Sequence, residues 1–211
     1  MTRAILVHDL FNIFAVGSIV FFNVVYLALA TDLSLIGTDQ LGAEYFSLFT
    51  TYYYLFLVYI IVDTIWISSI PGCTTTHPLP IIIHHVLTFI FALTPYVDKQ
   101  FAWHMAITLL VEVNTFFLTL KRNVPSTSII FTILNVLFYL TWISLRLVCF
   151  PILVVFFYQE WRRYSKAIGT DFNFILLAPI FQFLITALSF KWTYDMAMKQ
   201  LFKKRASSKS S

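Results

Sequence analysis

The chain has 211 residues, of which 59% are hydrophobic, 18% aromatic and 11% charged, with a net charge of +4 and a mean hydropathy of +0.82. A soluble domain is about 45–50% apolar and about 25% charged, so a water-covered globule is excluded, and so is disorder, which needs low hydrophobicity and high charge. No basic exposed face is left for nucleic acid, the two cysteines, Cys73 and Cys149, make no disulfide framework, and the remaining class is a polytopic membrane protein.

Crossing about 30 Å of hydrocarbon takes roughly 20 apolar residues in a helix. Six stretches qualify in chain order: 10–30, 46–70, 79–95, 101–120, 128–157 and 174–192. The first is span-length and has no clear cleavage site, so it reads as a helix rather than a signal peptide. The fifth is too long for one upright span, and is expected to tilt or to bend near Pro151, whose ring removes a backbone donor. No stretch alternates with period two over many repeats, which argues against a membrane barrel of strands. The fold class expected is therefore an all-α membrane protein of six transmembrane helices, with both termini on one side.

That side would hold Arg3, Lys121, Arg122, Lys191, Lys199, Lys203, Lys204, Arg205 and Lys209, against Lys99, Arg162, Arg163 and Lys166 on the other. The excess places both termini in the cytoplasm, or in the matrix of a mitochondrion. The loop 31–45 has acids and no bases, as a far-side loop should. With short loops and no linker, the organisation expected is a segment 1–9, one domain over 10–195, and a basic tail 196–211 that alternates bases with serines and reads as disordered.

Charged groups inside a span cost roughly 3 kcal/mol or more on insertion scales and mark functional sites. Asp63, Glu112 and Arg146 qualify, with His84, His85 and Asn114 beside them. At about 1.5 Å per residue, Asp63 lies about 10 Å from the terminus-bearing face, His84 and His85 about 8–9 Å, Glu112 about 12 Å and Asn114 about 9 Å. The common level predicts a polar chamber in that half of the bundle. Arg146 falls about 27 Å along its helix and does not fit that level unless the helix tilts.

Adjacent helix positions point about 100° apart, so one ring of the His84–His85 pair enters the chamber and the other faces a neighbouring helix. An imidazole beside a carboxylate is the arrangement of a general base or an activated nucleophile, with Asp63 as the orienting acid. The same cluster also serves as a buried polar network that sets helix register. His8 and His77 lie near loops and His104 near the opposite face, so at most two imidazoles share a level. No metal site and no cofactor are expected.

Three stretches carry a resemblance: Val62-Asp63-Thr64-Ile65-Trp66-Ile67, then Pro80-Ile81-Ile82-Ile83-His84-His85-Val86-Leu87-Thr88, then Glu112-Val113-Asn114-Thr115 followed by Arg122. In this order on successive spans they resemble the TLC-domain family, which includes the ceramide synthases and short non-synthase members. The resemblance implies a six-helix barrel with a lipid-sized cavity. In the synthases the paired histidines help transfer an acyl group from acyl-CoA to a sphingoid base, which points here to His84, His85 and Asp63. The synthase signature continues into further acids, whereas here Arg122 is followed by Asn123-Val124-Pro125-Ser126-Thr127-Ser128 and the next acid is Glu160. The reading that results is a protein that binds or senses a membrane lipid or acyl chain through His84, His85, Asp63, Glu112, Asn114 and Arg146. Its alternatives are an accessory subunit with membrane-protein partners and a histidine acyltransferase. The family implies the endoplasmic reticulum, with the mitochondrial inner membrane as the alternative.

Overall fold

The computed structural model describes residues 2–29, 46–74, 77–97 and 102–208. The acidic loop 31–45, Lys99 and Lys209 lie outside the described residues. Among the described residues every element is helical: α1 (Arg3–Leu29), α2 (Phe46–Ser69), α3 (Pro78–Ala92), α4 (Thr94–Val97), α5 (Ala102–Leu109), α6 (Glu112–Arg122), α7 (Ile129–Thr141), a π-helical segment Trp142–Cys149, α8 (Phe150–Ile168), a 3₁₀ turn Phe174–Leu176 and α9 (Leu177–Ser208). They assemble into six helices long and apolar enough to cross a membrane, the fifth being a 40-residue run from Ile129 to Ile168.

Local chemistry sets the ends. The Ser128 hydroxyl accepts from the Ile130 N–H at 3.1 Å, Asn173 Oδ1 accepts from Ile175 N–H at 3.1 Å, and His77 Nδ1 accepts from Leu79 N–H at 3.3 Å just ahead of Pro78. Each satisfies an orphan donor at a helix start. Gly169 stops α8 with φ +74°, the left-handed conformation that glycine adopts without strain. The backbone of α9 runs on to Ser208, well past the point where an unstructured tail is expected.

The helices close into a ring. α1 packs on α2, α2 on α3, α3 on α9, α9 on α8 and the π segment, α7 on α6, and α6 back on α1. Around the ring the spans therefore run first, second, third, sixth, fifth, fourth. Hydrocarbon surrounds this ring, so the usual inside–outside pattern inverts. Phe14, Phe21 and Val24 of α1 face outward, while its inward stripe is His8, Asn12, Val16, Ile19, Asn23 and Tyr26. The stripe recurs every three or four residues, the helical period. Its polar members bond across the bundle, Asn23 donating to the Ala106 carbonyl at 2.9 Å.

Close packing replaces the hydrophobic effect as the force between helices here, since lipid tails are as apolar as the side chains. Gly17 shows the consequence. A Cβ built on it would sit 3.1 Å from the Phe116 ring of α6, so α1 and α6 approach as closely as they do because this position lacks a side chain. Gly17→Leu is expected to destabilise the bundle by about 1–3 kcal/mol through overpacking. Ser18→Leu, at an exposed position, is expected to be neutral. Thermal unfolding of the two variants in the same detergent checks this.

Candidate functional site

The fold brings the polar residues of all six spans to one cavity of about 560 Å³. Its lining runs from Thr74 and His77, in and beside the α2–α3 connection, inward to Phe56. Phe56 lies 13 residues inside the end of α2, a depth of about 20 Å. The volume is within the range of about 300–1,000 Å³ that encloses small ligands. Asp63, His84, His85, Glu112, Asn114 and Arg146 all line it, and so do His8, Asn12, Tyr59, Thr88, Trp142 and Trp192.

One wall is built by α1, α2 and α3 around Asp63, which is 3% exposed. Its Oδ1 lies 2.6 Å from His8 Nε2 and its Oδ2 lies 3.5 Å from His85 Nε2. The carboxylate thus ties the second span to both neighbours. His8 belongs in this cluster, which corrects the expectation that it lies near a loop, apart from the site. The helix begins at Arg3 rather than at residue 10, so His8 is already inside the span and on its inward stripe.

The hydrogen bonds point to one tautomer of His85. The Thr64 hydroxyl has a single proton and donates it to the Ile60 carbonyl at 2.6 Å. The 3.0 Å contact between Thr64 Oγ1 and His85 Nδ1 therefore needs its proton from His85. In the neutral ring this leaves the Nε2 lone pair facing Asp63 and the cavity. His85 is the member of the pair that Thr64 orients, with Asp63 beside its Nε2. His84 turns the other way, its ring 5.5 Å from Trp192 of α9 and its Nδ1 buried without a hydrogen-bond partner.

The opposite wall is built where two helices lose regularity. Between α5 and α6 the backbone tightens, with Leu110 N–H bonded to the Ile107 carbonyl and Val111 N–H to the Thr108 carbonyl. The break places Glu112 in the first turn of α6, where a helix N-terminus favours a carboxylate. Facing it, the fifth span widens into the π segment, the Phe150 N–H reaching back five residues to the Leu145 carbonyl. Pro151 supplies the cause, because its ring cannot donate and would clash with the carbonyl four residues earlier. Irregular backbone at membrane depth survives only where protein or a cavity covers it, and both irregularities lie beside this cavity.

The π segment carries Arg146, 5% exposed. Its Nε donates to Asn114 Oδ1 at 3.1 Å, and Asn114 is itself oriented by donating to the Phe138 carbonyl at 2.9 Å and to Thr141 Oγ1 at 3.0 Å. Arg146 therefore enters the cavity, although counting along a regular helix puts it out of level. The guanidinium lies over the rings of Trp142 at 5.0 Å and Trp192 at 5.6 Å. No oxygen of Glu112 comes within ion-pair distance of it.

Asp9 and Arg122 form a further buried contact that position along the chain does not suggest. Arg122 Nη2 pairs with Asp9 Oδ1, and Asn123 Nδ2 donates to Asp9 Oδ2 at 3.2 Å. The pair latches α1 to α6 beside the cavity mouth. His104 stays apart, packed 4.1 Å from Trp103 and 4.4 Å from Phe157 by ring centroids. The signal for His8 and Asp9 is present in the sequence as the start of a polar stripe that continues at Asn12; starting the span at residue 10 hides it. Trp142 and Trp192 carry no such signal, since the sequence has five tryptophans and 23 phenylalanines.

The family model for the TLC domain, TRAM_LAG1_CLN8, matches the chain over residues 6–198. No curated protein and no solved structure matches it.

Arg122→Ala leaves the fully buried Asp9 carboxylate without its guanidinium, and breaking a buried pair in this way costs about 3–5 kcal/mol. The double variant Asp9→Ala/Arg122→Ala is expected to recover part of that loss. Thermal denaturation of the three proteins in one detergent measures both effects.

Proposed function

We propose that this chain, which belongs to the TLC-domain family, binds membrane lipid in the central cavity, with the headgroup end against the polar walls and a chain running over the apolar lining. The observation that carries this is one partly open cavity lined both by polar groups from every span and by Phe56, Ile60, Leu118 and Phe138. The polar residues meet a headgroup and the apolar ones an acyl segment, the division that an amphipathic ligand requires. His84 Nδ1 and Thr88 Oγ1 are buried, line the cavity and have no hydrogen-bond partner. Unpaired polar groups are costly in hydrocarbon, and a headgroup answers them. Through this site the protein would influence membrane lipid composition, in the endoplasmic reticulum as the family resemblance implies.

The test is native mass spectrometry of protein extracted with its surrounding lipid. The wild-type chain is expected to retain about one lipid per protein. Ile81→Trp, which fills the cavity from α3, is expected to lose it. A wild-type protein with no retained lipid, or equal retention in the filled variant, overturns the reading.

A second reading, acyl transfer, is favoured by His85. Its Nε2 lone pair faces the cavity, and Asp63 Oδ2 is placed to accept from that nitrogen once it is protonated. A hydroxyl or amine entering the cavity would pass its proton to Nε2 as it attacks a thioester carbonyl, and the proton would then leave with the departing thiolate. General-base groups of this kind contribute about 10²–10⁴-fold. If acyl-CoA is consumed, His85→Ala is expected to lower the rate by that factor and Asp63→Asn to lower kcat with little change in KM. Turnover unchanged in His85→Ala removes the acyltransferase reading while leaving lipid binding untouched.

A further inference from the structure

We propose that Arg146 is the seat of a phosphate oxyanion, so that the lipid the cavity takes is a phospholipid with its phosphate against the fourth, fifth and sixth spans. The inference rests on the lipid-binding reading above and names the class of ligand.

Arg146 is 5% exposed, yet only part of its guanidinium is spent. Nε is used on Asn114, while Nη1 is buried without a hydrogen-bond partner and the side chain lines the cavity. An isolated charge is among the most expensive things to hold in hydrocarbon, and it is normally paired. Glu112 attracts it only from beyond ion-pair distance. That carboxyl, at the start of α6, takes a hydrogen bond from the Thr115 side chain instead. The cation is therefore kept, oriented and left available.

The surroundings fit an oxyanion better than a neutral carbonyl. The indoles of Trp142 and Trp192 lie against the guanidinium, while Trp142 is itself fixed by donating from Nε1 to Thr193 Oγ1 at 3.0 Å. Asn114 holds Nε from the other side. A guanidinium so fixed offers its remaining N–H groups as a fork, the geometry that matches phosphate. Lys199 lies about two turns along α9 from Trp192 and also lines the cavity. It makes no ion pair among the described residues, whereas Lys191 is paired with Asp195. A cation at the outer end and a cation within mark a path for an anion. The opposite wall, where Asp63 already has two imidazoles, offers no such opening.

The experiment uses the full chain in detergent micelles, titrated with dioctanoylphosphatidylglycerol, dioctanoylglycerol or inorganic phosphate and read by native mass spectrometry. The wild-type protein is expected to hold the phospholipid about 10- to 100-fold more tightly than the diacylglycerol, as charge-assisted hydrogen bonds to a buried site would give. Arg146→Gln is expected to bring the two lipids within about 3-fold of each other, and an unfolding midpoint close to that of the wild-type chain in the same detergent shows that the variant folds. Arg146→Lys is expected to restore part of the preference. Inorganic phosphate that binds in an Arg146-dependent way would keep the oxyanion seat and make a soluble phosphate its source. Equal affinity for the two lipids in the wild-type chain, or a preference that survives Arg146→Gln, overturns the seat and spares the lipid-binding reading. Binding of neither lipid overturns both.

Discussion

A carboxylate held within a hydrocarbon-embedded bundle must be answered by its neighbours, and Asp63 is answered by His8 Nε2 of the first span at 2.6 Å. His85 of the third span stands beside it, its Nε2 3.5 Å from Oδ2, and is held to the second span through Nδ1 on Thr64 Oγ1 at 3.0 Å. Since breaking any of these contacts leaves a charge or a donor alone in low dielectric, the three helices are held at one rotation and one height. The cavity follows from that, because the same rotations turn Asn12, Tyr59 and Thr88 inward. Tyr59 then donates to Asn12 Oδ1 at 2.8 Å, and Asn12 Nδ2 to the His8 carbonyl at 3.0 Å, so the network passes from side chain to backbone without reaching lipid.

The other half of the ring is held differently. There the fourth and fifth spans each give up regular helix, at residues 110–111 and at Trp142–Cys149. A break in the α-helical ladder costs hydrogen bonds that hydrocarbon cannot replace, and here each break carries a charged side chain into the cavity. Glu112 follows one and Arg146 rides the other. Asn114 joins the two walls of this half by accepting from Arg146 and donating to the backbone of α7. The two halves thus differ in chemistry. The Asp63 side has a carboxylate already engaged and an imidazole nitrogen open to the cavity, and the Arg146 side has a cation only partly engaged.

The membrane class, the six spans and the level shared by Asp63, His84, His85, Glu112 and Asn114 are legible in the residues themselves. Hydrocarbon thickness fixes span length, and a fixed rise per residue converts sequence position into depth. The ordered motifs point further, to the TLC domain. Two limits of that arithmetic show at His8 and Arg146. Depth reckoned from the edge of the apolar run excludes His8, although the chain there is already helical and buried. Depth reckoned along a regular helix misplaces Arg146, which lies in the π segment.

The residues alone set the helices, their order along the chain and the depth of most polar groups, because these follow from transfer free energy and helix geometry. Which helices are neighbours was decided only in the tertiary structure. The sixth span sits between the third and the fifth, so that α3 meets α9 and α6 meets α7. That closure sets His84 against Trp192, Trp192 against Arg146, and Arg146 against Asn114. Depth is a one-dimensional property that each span carries separately, while azimuth and adjacency depend on how all six pack, through contacts such as Gly17 against Phe116 that no single span contains.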